Sequence, residues 1–155
     1  MNVRAATKAD LDILGALSVE IQRLHEENRP DLFRAPDEGA LRSFLADQLA
    51  RGAVVLVADH HGTAAGYLLA ELSARPASPF RHASKSLYVH HIAVAPTAQR
   101  QGIGEQLIEA AVAIAQAESA QAVRLDSWSF NRTAHAFFEG QGFEPVNVVF
   151  ERQLR

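Results

Sequence analysis

The chain has no cysteine among its 155 residues. That excludes a disulfide scaffold, a thiolate nucleophile and a cysteine-ligated zinc site, and it accords with a reducing compartment. Long apolar runs are absent too, since no window reaches the roughly 18 consecutive apolar residues of a membrane span. The opening MNVRAATKADLDILGAL lacks a basic start followed by an unbroken apolar stretch, so no secretory leader is expected. Nor does one sign of charge dominate: 15 Lys and Arg stand against 18 Asp and Glu, for a net charge of −3. Nucleic-acid binding favours a broad positive field, which this balance removes. These absences lead us to expect a cytoplasmic protein with neither a membrane nor a nucleic-acid partner.

What is present is globular composition, 48% apolar and 21% charged. The length is that of one average domain, so residues 1–155 read as a single domain. A short strand over Asn2–Ala6 leads to Thr7 and Asp10, spaced as in a capping box. Leu11, Leu14, Leu17, Ile21 and Leu24 then recur at helical spacing, and this helix should end near Asn28-Arg29-Pro30. A second helix spans about Asp37 to Arg51 and stops at Gly52. Ala53–Asp59 and Ala64–Leu72 are β-branched or apolar runs flanking His60-His61-Gly62-Thr63, which reads as a hairpin. Leu87–Ala95 is a further strand, Gly102–Ser119 a helix, Ala122–Trp128 a strand, Arg132–Glu139 a helix and Val146–Leu154 a last strand. The order β-α-α-β-β-β-α-β-α-β gives one α/β (α+β) sheet domain.

The unit that carries chemistry is centred on QRQGIG at residues 99–104. A strand delivers the chain to a turn at the start of a long helix, where backbone N–H groups lack intrahelical acceptors and the helix dipole adds positive potential. Gly102 and Gly104 have no side chain, so a ligand could approach the backbone closely. Such a site suits a phosphate or pyrophosphate. A third glycine of a dinucleotide fingerprint would fall at Leu107, and no GK[ST] occurs, so neither a Rossmann fingerprint nor a nucleotide P-loop fits.

The string HIAVAPTAQRQGIGEQLIEAA resembles the acetyl-CoA-binding motif of the GNAT family of N-acetyltransferases, whose [RQ]-x-x-G-x-[GA] loop is matched by Gln99, Gly102 and Gly104. A second stretch, LDSWSFNRTAHAFFEGQGFEP, is similar to the family's later strand–helix unit, and VRAATKADLDIL resembles its first strand and helix. The resemblance covers nearly the whole chain and implies a central mixed, mostly antiparallel sheet flanked by helices. It also implies acetyl-CoA as co-substrate. Pantetheine would then lie along Ile92, Ala93 and Val94, with backbone groups of Ile92 and Val94 meeting its amides. The pyrophosphate would sit on Gln99, Arg100, Gln101, Gly102, Ile103 and Gly104. Asn131, Ala134, Phe137 and Phe138 of the later helix would border the cofactor, although Asn131 is equally a favoured helix N-cap.

Acetylation of an amine needs a neutral amine, a route for its proton and a stabilised oxyanion. Relative to the glycine loop, His90 stands where arylalkylamine acetyltransferases, to which the chain is similar here, carry a histidine. An imidazole can accept a proton near neutral pH. Glu71 and Tyr88 are the other candidates, and a cross-sheet hydrogen bond is the structural alternative for His90. Strand alternation would put Tyr88, His90 and Ile92 on one face and Val89, His91 and Ala93 on the other, so both histidines should not face one site. The Val94 N–H is the expected oxyanion donor. At Phe138 many family members have a tyrosine placed to protonate the leaving thiolate, and a phenyl ring donates no proton.

On the substrate side, Glu26, Glu27 and Asp31 could attract a cationic amine or simply solvate a helix end. Asp126 and Trp128 should share a face near the cleft. His25-Glu26-Glu27-Asn28-Arg29 is not HExxH, and no cluster has metal-ligand spacing. The reading is an N-acetyltransferase for a primary amine of a small molecule or protein, acting by direct transfer, with a homodimer possible on the family pattern. The alternative is an acyl-CoA-binding module with little or no catalysis.

Overall fold

The computed structural model describes residues 1–154. Five strands form one sheet in the order β1-β2-β3-β4-β5: β1 (Asn2–Ala5), β2 (Val54–His60), β3 (Thr63–Arg75), β4 (Ser84–Val94) and β5 (Ala122–Leu125). The first four are antiparallel neighbours, and β5 joins β4 in parallel. Parallel pairing requires a crossover, which α3 (Ile103–Ala117) supplies. Helices α1 (Leu11–Asn28) and α2 (Glu38–Ala50) lie between β1 and β2 in sequence, and α4 (Arg132–Gly140) follows β5.

The sheet separates two apolar clusters. On one face Leu107, Ile108, Ala111 and Ala115 of α3 pack on Leu56, Leu68, Leu87 and Val89. On the other, Leu14 and Leu17 of α1 and Leu45 of α2 cover Val57, Tyr67, Leu69 and Ala93. Burying both faces explains why β2 and β3 read as continuous apolar runs rather than alternating ones.

Polar contacts fix the edges of this arrangement. Asp10, 7% exposed, accepts from Thr7 N–H at 2.7 Å and from the Arg4 guanidinium at 2.8 and 2.9 Å. Arg4 also reaches Asp59 at 2.7 Å, tying β1 and β2 to the start of α1. The hydrogen bonds from Arg4 hold the Asp10 carboxyl down to about 2. Asp37 caps α2 by accepting from Ala40 N–H at 3.1 Å.

Two expectations change. The strand expected over Ala122–Trp128 ends at Leu125, because its ladder with β4 stops at Val89↔Leu125. The last strand, expected over Val146–Leu154, does not form: this segment has no ladder partner among the described residues. It passes over the α1–α2 connection instead, where Glu151 meets Arg29 at 2.9 Å and Gln153 meets Asp31 at 3.4 Å. Val149 and Phe150 stay about nine-tenths exposed.

Candidate active site

The site is organised by one irregularity in β4. His91 pairs with Leu69 and Val89 with Ala70, which leaves His90 with no partner on β3. An extra residue in one strand is a β-bulge, and it resets the side-chain alternation beyond it. Leu87 and Val89 therefore face α3, whereas His91 and Ala93 face α1 and α2. The expected two-way division of β4 holds only as far as the bulge. Beyond it His91 joins the His90 side, while Ile92 packs against the α3 cluster. Both histidines line one cleft of about 670 Å³, contrary to the expectation that they could not, and Glu71 stands with them.

Within the cleft His90 Nε2 lies 2.8 Å from Glu71 Oε1. A carboxylate there favours the tautomer with hydrogen on Nε2 and leaves Nδ1 as the proton acceptor. Tyr88 packs beside His90 with ring centroids 5.1 Å apart and donates its hydroxyl hydrogen to Asp126. Burial, reinforced by the Asp126 carboxylate, pushes the Tyr88 phenol up to about 12, so it keeps its proton near neutral pH. His91 Nδ1 lies 3.1 Å from the hydroxyl of fully buried Tyr67. Burial, with smaller contributions from His90 and His25, pushes His91 down to about 4, so it is neutral in the working range.

The other flank of β4 presents backbone. Past Val89↔Leu125 the strands β4 and β5 part. Ala95 N–H donates to Ala65 C=O at 2.8 Å. By alternation in an antiparallel ladder, the Ala93 N–H also faces β3, and the amides of Ile92 and Val94 face the opening toward the β5 side. The loop that follows leaves its donors free. Gln106 N–H bonds Gly102 C=O at 3.1 Å, and from Gln99 to Glu105 no backbone N–H has an acceptor among the described residues. Arg100 at φ 63° and Gly102 at φ 78° turn this chain with left-handed residues. Gln101 is held by His60 Nε2 at 2.8 Å, a contact that a hairpin-turn histidine gave no reason to expect.

The glycines have different reasons. Gly102 needs its positive φ, and a Cβ there would meet open space. At Gly104 a Cβ would lie 2.9 Å from the Phe137 ring, so this glycine admits Phe137 rather than a ligand. Phe137 thus closes the α3–α4 junction, and Phe138, 9% exposed, packs between Phe137 and Phe143. Ile103 is buried, leaving only its N–H to the loop. Asn131 accepts from Ala134 N–H at 3.3 Å as the N-cap of α4.

His25, Phe33, Trp128 and Phe130 form a ring cluster, with edge contacts of 4.9 to 5.7 Å and Trp128 stacked on Phe130 at 6.2 Å. Arg29 lies over Trp128 and pairs with Asp31 at 2.8 Å, so Asp31 is already neutralised. Asp126 and Trp128 come from irregular chain after β5, not from a strand face. Phe44, Gln48 and Arg51 of the α2 end line the cleft as well. Nothing in their spacing pointed there, because the docking of α2 on the sheet decides it.

Residues 20–143 match the sequence model of the acetyltransferase (GNAT) family. The BH1408 protein of Bacillus halodurans, solved as a point mutant, is 27% identical, with a TM-score of 0.91 and full coverage of both chains. The aminoglycoside antibiotic 6'-N-acetyltransferase AAC(6')-IG of Acinetobacter haemolyticus is 22% identical over both whole chains, with a TM-score of 0.74. The aminoglycoside N-acetyltransferase AAC(6')-Iy, solved with CoA, is 19% identical with a TM-score of 0.77, over 98% of this chain and 93% of that one. These last two show the shared fold. No curated protein matches the chain.

Proposed function

Because the chain belongs to the GNAT acetyltransferase family, we propose that it moves the acetyl group of acetyl-CoA directly to a primary amine of a small molecule or protein, in a ternary complex. The observation that carries this reading is His90, set at a bulge where β4 leaves β5 and paired with Glu71 at 2.8 Å. Pantetheine would follow the Ile92–Val94 edge. The N–H groups of Gln99 to Gly104, with Arg100 beside them, would take the pyrophosphate. The loop suits the cofactor because its donors have no acceptors among the described residues.

In the transfer, the amine loses a proton to His90 Nδ1, directly or through water, as its nitrogen attacks the thioester carbon. The C–S bond then breaks, the amide forms and the thiolate takes a proton. Base and oxyanion donor must serve the same carbon. Val94 is four residues from His90, about 13 Å along a strand, whereas Ile92 is about 7 Å away. Ile92 N–H is therefore assigned the oxyanion in place of Val94. Phe138 supplies no proton, so solvent reprotonates the coenzyme.

The reading extends to a homodimer over a single domain of residues 1–155. Val146, Val148, Val149 and Phe150 are at least 70% exposed. β5 ends the sheet with an edge unpaired among the described residues, and such an edge invites another strand. Sedimentation should show a dimer that Phe150→Asp converts to monomer, and a wild-type monomer would end this extension.

The test of the main reading is thiol release from acetyl-CoA with a panel of amines, beside thermal shift with CoA. At a hundredfold excess over Kd a ligand adds about 2.7 kcal/mol. Stabilisation without thiol release from any amine would favour a binding module. No stabilisation by CoA or acetyl-CoA would remove the proposal.

A further inference from the structure

On the basis of that reading, we infer that the cleft between α2 and the bulged β3–β4 pair is the acceptor subsite, and that it takes a primary amine that also carries an anionic group. Its lining carries both signs of charge. Glu71, exposed and 2.8 Å from His90, attracts the ammonium, which gives its first proton to solvent and leaves the second for His90 during attack. Arg51 and Gln48 enter the lining from the end of α2. Phe44 (44% exposed) and Leu72 (39% exposed) add apolar surface to the same lining. A volume of about 670 Å³ accommodates a small acceptor with both of its ends engaged.

Arg51 is the informative residue. It is the one arginine of the cleft lining and, unlike Arg4, Arg29 and Arg42, it has no ion pair among the described residues. A guanidinium fork free at a cleft wall matches a carboxylate or phosphate with two parallel hydrogen bonds. The same charge repels a second ammonium, so the cleft selects against diamines and polycations as well as for anionic amines. The methylene stem of the acceptor would lie on Phe44 and Leu72, placing its nitrogen at His90. Acetyl transfer then proceeds as above, forming the amide and releasing CoA thiol.

The experiment compares 6-aminohexanoate, 6-aminohexanol and 1,6-diaminohexane as acceptors, with 6-aminohexyl phosphate to separate carboxylate from phosphate preference. Wild-type kcat/KM should be at least tenfold higher for an anionic acceptor than for the diamine. Arg51→Glu should reverse that order, while Arg81→Glu, the same charge change on the exposed β3–β4 loop, should leave it as in wild type. Equal use of all acceptors, a preference for the diamine, or an order unchanged by Arg51→Glu overturns the inference while leaving amine acetylation intact. Calorimetric binding of the same compounds to the CoA-loaded protein keeps the two readings apart. An anionic preference abolished by Arg51→Glu supports the subsite even without thiol release, and equal affinities overturn it even with turnover.

Discussion

The two flanks of β4 expose different groups. Toward β5 the strand and the loop after it offer backbone: the amides of Ile92 and Val94, then the N–H groups from Gln99 to Glu105. Toward α2 it offers side chains, His90 with Glu71 and His91 with Tyr67, assembled by a single unpaired residue. A cofactor common to a family can be held by backbone, which tolerates sequence change. An acceptor must be told apart by side chains, and these differ from chain to chain. The difference teaches that mutations on the two flanks should separate in kinetics, cofactor binding on one side and turnover on the other.

The largest separation is expected at His90. His90→Ala should lower kcat by roughly 10²-fold or more with KM for acetyl-CoA nearly unchanged; a kcat within threefold of wild type would place the base elsewhere. Next is its neighbour His91, which should act on stability. Folded His91 titrates at about 4 against 6.5 for the free side chain, so between these values only the unfolded chain takes up the proton. Stability should thus fall as pH drops from 6.5 toward 4, by about 2 to 3 kcal/mol in all. Denaturant melts across that range should show the slope in wild type and a flatter one in His91→Gln.

On the cofactor flank, Gly102→Val forces a β-branched residue to φ 78°, which costs about 1 to 3 kcal/mol of strain. KM for acetyl-CoA should rise roughly tenfold by that strain, with kcat at saturation little changed. An effect confined to kcat would erase the division between the flanks. The smallest effect is expected from Phe138→Tyr, read as initial rates of thiol release. A modest rise in turnover would support the missing-acid reading, and an unchanged rate would leave solvent as the proton donor.

Much of the fold was legible because its signals are local. Leu11 to Leu24 recur at helical spacing, AVVLVAD is a buried strand, and the QRQGIG loop stands at a strand–helix junction; each forms where expected. The tail failed for a non-local reason. Val146 to Phe150 have strand propensity, but a strand exists only where an edge pairs with it, and the segment finds none within the described chain. At the site, QRQGIG marked the loop whose backbone donors stand free, yet Gly104, read there as room for a ligand, has its space taken by Phe137, 33 residues later.

By itself the sequence determined most of the elements, the glycine loop and the family resemblance, because periodicity, turn chemistry and backbone-donor motifs are written in neighbouring residues. Only the tertiary structure decided which way His90 and His91 face. The bulge depends on the register of β3 against β4, which no local pattern records. Tertiary structure also brought Arg51 and Glu71 to one cleft, since the packing of α2 on the sheet, rather than any spacing along the chain, sets that approach.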